Sequence, residues 1–145
     1  VIALFNEIFS AGYQPEDSAW WQLAYYANYI SAFALLEGSV GAAHALSYCI
    51  SDALGMCHSK ANIASLALLS DYFECYSQNI FKFCDEYGIK YGISGDKSRN
   101  AESCHKIMLQ ARDRFNFLWK NTSDVFNNNL ASEIYINKAI EALAR

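Results

Sequence analysis

Residues 63–87, IASLALLSDYFECYSQNIFKFCDEY, carry large apolar side chains at Ile63, Leu66, Leu69, Phe73, Tyr76, Ile80, Phe83 and Tyr87. The intervals are threes and fours without a gap, which is the period of an α-helix and not the alternation of a strand. The spacing predicts one long helix, stopped by Gly88, whose apolar face other helices must cover. An all-α bundle, or a short stack of helical hairpins, is the fold class that follows.

The flanking sequence extends the same pattern. Upstream, residues 1–11 read as a helix that Gly12 ends, and Pro15 opens the next element. A second helix over residues 16–37 has Asp17 or Ser18 as its cap and Gly38 at its close. Ser39 is positioned to cap a third, with Ala43, Leu46, Cys49 or Ile50, Ala53 and Met56 on one side and an end near Gly55. Downstream, residues 89–98 (IKYGISGDKS) read as the longest loop, with Asp96 or Ser98 as the next cap. A fifth helix runs to about Lys120 on the stripe Ala101, Cys104, Met108, Ala111, Phe115 and Leu118. The last begins near Thr122 or after Asn127, Asn128 and Asn129 and continues to the C-terminus, where Glu141 and Arg145 form an i,i+4 pair. About six helices result, joined by short loops in a single domain over residues 1–145.

Composition agrees with such a domain. The chain has 145 residues, 53% hydrophobic and 15% aromatic, with only 18% charged, which excludes a disordered chain. One proline and seven glycines are too few for the turns of a β-sandwich or barrel. The formal net charge of −4 excludes a general nucleic-acid binder, and no DNA partner is expected. The charge is unevenly spread, however. Residues 1–59 contain five acids (Glu7, Glu16, Asp17, Glu37, Asp52) and no lysine or arginine. Residues 97–120 contain six bases (Lys97, Arg99, Lys106, Arg112, Arg114, Lys120) against two acids, Glu102 and Asp113, so that any RNA contact falls there.

Five cysteines (Cys49, Cys57, Cys75, Cys84, Cys104) form no CxxC pair, and an odd number cannot all pair within one chain. They read as reduced core residues of an intracellular protein, in the cytoplasm or an organellar matrix. No signal-peptide pattern opens the chain, which starts at Val1 without Met. Residues 18–36 (SAWWQLAYYANYISAFALL) are uncharged and long enough to span a bilayer. Ser18, Gln22, Asn28 and Ser31 make them a poor span, so a helix buried within the protein is expected instead.

Two resemblances to known families bear on function. The opening ALFNEIFSAGYQPED, through Leu4, Phe5, Ile8, Gly12 and Pro15, resembles the second helix and exit turn of a pentatricopeptide repeat, with Trp20 and Leu23 near the places of that family's next aromatic and leucine. Phe81 and Gly88 repeat the seven-residue step from Phe5 to Gly12, with Tyr91 in the place of the proline. The likeness covers roughly 25 residues, and no period of about 35 residues persists along the chain. It implies a concave helical surface that holds a peptide or an RNA strand, and the acidic first half favours a peptide.

The second resemblance lies at RNAESCH, residues 99–105, which looks like the Arg-x(4 to 6)-His signature of HEPN domains, helical bundles that often cleave RNA as dimers. It implies a metal-independent ribonuclease in which His105 moves a proton at a ribose 2′-hydroxyl and Arg99 stabilises charge on the phosphate. Asn100 is the polar residue that often follows the arginine in that family. Arg112, seven residues beyond His105, lies on nearly the same helical face and can hold a neighbouring phosphate, with Lys106 beside it. The plainer alternative pairs His105 with Glu102 one turn earlier.

Other chemistry finds no footing. Cys57-His58 and Cys104-His105 are adjacent pairs that diverge by about 100° on a helix, so neither makes a metal site. Glu102-x-x-His105 is half of a di-iron motif without its second half. Gly-rich phosphate loops, GxSxG and HExxH are absent, and no cofactor is expected. Cys57 and His58, as sequence neighbours, are better read as packing residues than as nucleophile and base. His44, between alanines, reads as a buried imidazole bonded to a carbonyl.

The aromatic run Trp20, Trp21, Tyr25, Tyr26 and Tyr29 places rings on several sides of one helix, so some must reach the surface. The primary expectation is therefore a non-catalytic interaction or scaffold domain. Those five residues would hold a protein partner or a second copy of the chain. The alternative is the HEPN-like ribonuclease or RNA-binding bundle acting through Arg99 and His105.

Overall fold

Every described element is an α-helix, as the apolar spacing predicts. The computed structural model describes residues 7–8, 12, 16–37, 40–71, 74–93, 100–120 and 129–143. They form α1 (Ser18–Glu37), α2 (Ala42–Leu54), α3 (His58–Leu68), α4 (Glu74–Glu86), α5 (Ala101–Arg114), α6 (Asn116–Lys120) and α7 (Asn129–Leu143). The chain divides into two compact units, Val1–Ser39 and Val40–Arg145. Of the helix expected over residues 1–11, only Glu7 and Ile8 are described, and both are helical. The remainder, with Gly38, Ser39, Asp96, Ser98, Thr122 and Arg145, lies outside the described residues.

In the second unit α2 is the central rod. Ala42, Ala45, Leu46, Ser47, Cys49, Ile50, Ala53 and Leu54 are all buried, while His44, Tyr48 and Ser51 on the other side are half-buried and Asp52 is exposed. It packs against α3, α5, α6 and α7, and α5 packs in turn against α7. From α5 come Cys104, Met108 and Ala111, from the following segment Leu118 and Trp119, and from α7 Ile136 and Ala139. The small residues of α2 let its neighbours approach closely, while Leu46 and Ile50 each contribute roughly 1.5–3 kcal/mol of burial. Cys104 Sγ, on α5, donates to the carbonyl of Ala53 on α2 at 3.9 Å.

Three of the four expected glycine stops, Gly12, Gly55 and Gly88, lie among the described residues. Gly12, Gly55 and Gly88 stand at φ of 69°, 64° and 64°, in the left-handed region that a side chain disfavours. Gly55 N–H donates to the Ser51 carbonyl at 2.9 Å and ends α2. At the end of α4, Ile89 N–H donates to Cys84 O at 2.7 Å and Gly88 N–H to Asp85 O at 3.3 Å, the double closure of a Schellman turn. Phe81 stacks on Tyr91 at 4.8 Å beyond that turn.

Three expectations are corrected. The helix read as continuous over residues 63–87 is broken: α3 ends at Leu68, a turn covers residues 69–71, and α4 starts at Glu74. Ser70 and Asp71 are residues that favour turns, and a turn of the right phase carries the three-four spacing across unchanged. Leu69 is fully buried at the break, and Lys138 of α7 pairs with Asp71 at 3.0 Å. The helix read to Lys120 is likewise interrupted, α5 ending at Arg114 and α6 restarting at Asn116. The caps also differ: Gly41 precedes α2, and Asn100 caps α5, its Oδ1 accepting from Ser103 N–H at 2.7 Å.

Candidate functional site

Helix α1 is apolar on both its covered and its exposed side. Ala27 is fully buried, and Trp20, Leu23, Ala24, Ile30 and Ser31 on the same side are half-buried. Ser31 Oγ turns back to the Ala27 carbonyl at 2.7 Å. The opposite side carries the large groups, with relative exposures of 50% for Trp21, 72% for Tyr25, 55% for Tyr26, 64% for Tyr29, 52% for Phe33 and 80% for Leu36. The expectation of a buried helix is thus met on one side only. No charged residue lies between Ser18 and Leu36, and among the described residues no helix is long and apolar enough to cross a membrane.

Neighbouring rings hold this face in shape. Trp21 lies against Tyr25 with centroids 6.2 Å apart, and Phe33 meets Tyr29 edge-on at 5.2 Å. Such i,i+4 contacts restrict the rotamers before any partner arrives, which lowers the cost of binding. Of the five aromatic residues expected to bind a partner, Trp21, Tyr25, Tyr26 and Tyr29 are exposed; Trp20 is half-buried and edge-on to Trp21 at 5.0 Å. Phe33 and Leu36 lie outside that expected set, although the interval Tyr26, Tyr29, Phe33, Leu36 continues the same face.

The basic segment is organised by α5 and α7. His105 lines an open cleft of about 310 Å³ with Ala101, Glu102, Asn137, Ile140 and Glu141. Two carboxylate-bearing residues therefore share the cleft with the imidazole. Arg112 lies further along α5 with its side chain only 14% exposed. It donates from Nε and Nη2 to Asp113 Oδ1 at 3.0 and 2.9 Å, and from Nη1 to Glu133 Oε1 of α7 at 3.1 Å. Burial works against its charge, but the hydrogen bonds to Asp113 and Glu133 outweigh it and raise its pKa. Asn100 is spent on capping α5, and Lys106 is exposed. Arg99 lies outside the described residues, so its separation from His105 does too. Arg114 pairs with Asp52 of α2 and covers the Phe115 ring at 4.7 Å.

A further cluster brings together residues that the sequence leaves far apart. His44 is half-buried, not buried, and its ring stands edge-on to His58 at 4.7 Å and to Tyr48 at 5.2 Å. Tyr48 lies against His58 at 5.0 Å and stacks on Phe115 at 4.5 Å. Burial, and then the nearby His58 charge, lowers the His44 pKa. His58 Nδ1 lies 3.5 Å from Ser47 Oγ, and its Nε2 lies 3.1 Å from Asn62 Nδ2. Helical phase puts His44, Ser47 and Tyr48 on one side of α2, but only the turn at Gly55 brings His58 back to them. The side chains of four of the five cysteines are described, and these four are free: Cys49, Cys84 and Cys104 buried, Cys57 exposed at the start of α3. The expectation of core cysteines therefore fails at Cys57, which precedes the helix where the chain meets solvent.

Among the described residues no group of three or more His, Cys, Asp or Glu side chains is placed to hold a metal ion. No protein-family model, no curated protein and no solved structure matches the chain.

Proposed function

We propose that the chain is a non-catalytic α-helical protein-interaction module, and that the exposed face of α1 is its docking surface. One observation carries the proposal: Trp21, Tyr25, Tyr26, Tyr29, Phe33 and Leu36 are half to four-fifths exposed on an uncharged stretch of helix whose fully buried side chain, among those described, is the small Ala27. Aromatic groups supply much area with few rotatable bonds, and rings of this kind dominate protein interfaces when covered. A contiguous apolar patch of this size is unusual on a chain that acts alone. The free cysteines support a reducing compartment.

Electrostatics support a structural role for the basic segment in place of a phosphate site. Glu102 and Glu141 beside His105 would repel an RNA backbone, and the Arg112 guanidinium is committed to two carboxylates. A photoreactive benzoylphenylalanine at Tyr25, with the same group at Lys106 as comparison, tests the assignment in cells that express the chain. Crosslinks from position 25 to a discrete protein species, recurrent between preparations and absent from position 106, are expected. RNA crosslinks from position 106, with none to protein from position 25, would reverse it.

A further inference from the structure

We infer that the occupant of the α1 face is α1 of a second copy, laid antiparallel across a two-fold axis that passes near Tyr29; the inference rests on α1 being a docking surface, as proposed above. The first support is periodicity. Gln22, Tyr26, Tyr29, Phe33 and Leu36 step by four, three, four and three, an average of 3.5, and all are exposed. That is the seam of a left-handed helix pair crossing at about 20°, the geometry that keeps two helices in contact over several turns.

The second support is symmetry. A two-fold interface must be self-complementary, so each residue and its counterpart exchange places across the axis. About Tyr29 the large groups are balanced: Tyr25 and Phe33 stand four residues either side, Trp21 eight before and Leu36 seven after. Reversing one helix therefore sets Tyr29 against its own copy, Tyr25 against Phe33 and Gln22 against Leu36, while Trp21 falls at the rim opposite Glu37. From Gln22 to Leu36 no charged side chain interrupts the set.

Area and charge complete the case. Side chains of this size present roughly 150–250 Å² each, and at the observed exposures six of them offer on the order of 600–900 Å² per copy. A stable interface needs about 800 Å² from each partner. Between Ser18 and Leu36 there is no charge to be desolvated or repelled, and the acids Glu16, Asp17 and Glu37 fall outside that stretch, at its two ends. Antiparallel packing also sets each helix N-terminus beside the partner's C-terminus, so the helix dipoles attract.

Light scattering on the full chain from micromolar to near-millimolar concentration, with Tyr29→Glu beside it, tests the inference. The wild type is expected to rise from 16.3 kDa toward twice that mass, while Tyr29→Glu, which sets two carboxylates at the axis, stays monomeric with an unchanged circular dichroism spectrum. Should Tyr29→Glu lose its helicity, Tyr29→Ser replaces it, with dimerisation expected to weaken at least about tenfold. In a Cys57→Ser background, Gln22→Cys with Leu36→Cys should give interchain 22–36 disulfides. Bonds joining 22 to 22 and 36 to 36 would overturn the antiparallel geometry. A dimer indifferent to Tyr29 substitution would overturn the inference. So would a wild type that stays monomeric, and acrylamide quenching then separates the cases in a Trp20→Phe, Trp119→Phe background: quenching of Trp21 leaves α1 free for another protein, whereas protection removes the docking surface as well.

Discussion

The imidazole rings of His44 and His58 meet edge-on with centroids 4.7 Å apart, joining the first turn of α2 to the first residue of α3. Protonation of both would set two like charges in contact beside the Tyr48 ring. Burial, then the His58 charge, holds the folded His44 pKa below the ordinary 6.5. The unfolded chain therefore binds the proton more readily, so this contribution to stability is complete above pH 6.5 and is lost as the pH drops through the folded value. The urea midpoint is expected to fall between pH 7.5 and pH 5, and to fall less in His44→Phe. Equal losses in the two proteins would mean that the pair does not sense pH.

Arg112 ties α5 to α7 through Glu133, and its side chain is mostly covered by packing. Arg112→Ala removes both the ion pairs and that packing and should cost about 1–2 kcal/mol. Glu133→Gln, at a half-exposed partner that leaves Asp113 in place, should cost about 0.5 kcal/mol or less. Chemical denaturation of the two variants measures the difference. A neutral Arg112→Ala would mean that the guanidinium is free for another ligand.

The thiols divide by environment. Burial pushes Cys49 up to about 12, whereas the Ser59 hydroxyl and then the Lys60 backbone N–H lower the pKa of exposed Cys57. The thiolate is the reacting species. Iodoacetamide at pH 8 should therefore label Cys57 well before Cys49 and Cys104, whose labelling should follow global unfolding; mass spectrometry of the peptides reads the order. Early labelling of Cys49 would place it outside the core.

Legibility from sequence follows the range of the interactions involved. The α-helical class, the glycine stops and the α5 stripe Cys104, Met108 and Ala111 rest on contacts within a turn or two and are readable. The break at Leu69 to Asp71 is not, because the apolar spacing keeps its phase through the turn. Asn100 competes as a cap with Asp96 and Ser98, all three being good capping types close together in sequence, and nothing local ranks them. The pairing of Arg112 with Glu133 spans 21 residues, and no local pattern announces it. The same holds for His44 and His58, which the turn at Gly55 brings together. On α1 both sides are apolar, so composition marks an aromatic helix without saying which rings face outward. The interval from Tyr26 through Leu36 holds that information, and it extends past the aromatic run that first draws the eye.

Hydroxyl-radical footprinting of the monomer at low concentration tests the central claim most directly. Tyr25 and Tyr29 should oxidise at rates near those of the unfolded chain, and Trp119, which is 3% exposed, far more slowly. Tyr25 and Tyr29 protected to the level of Trp119 in the monomer would contradict an open docking face on α1.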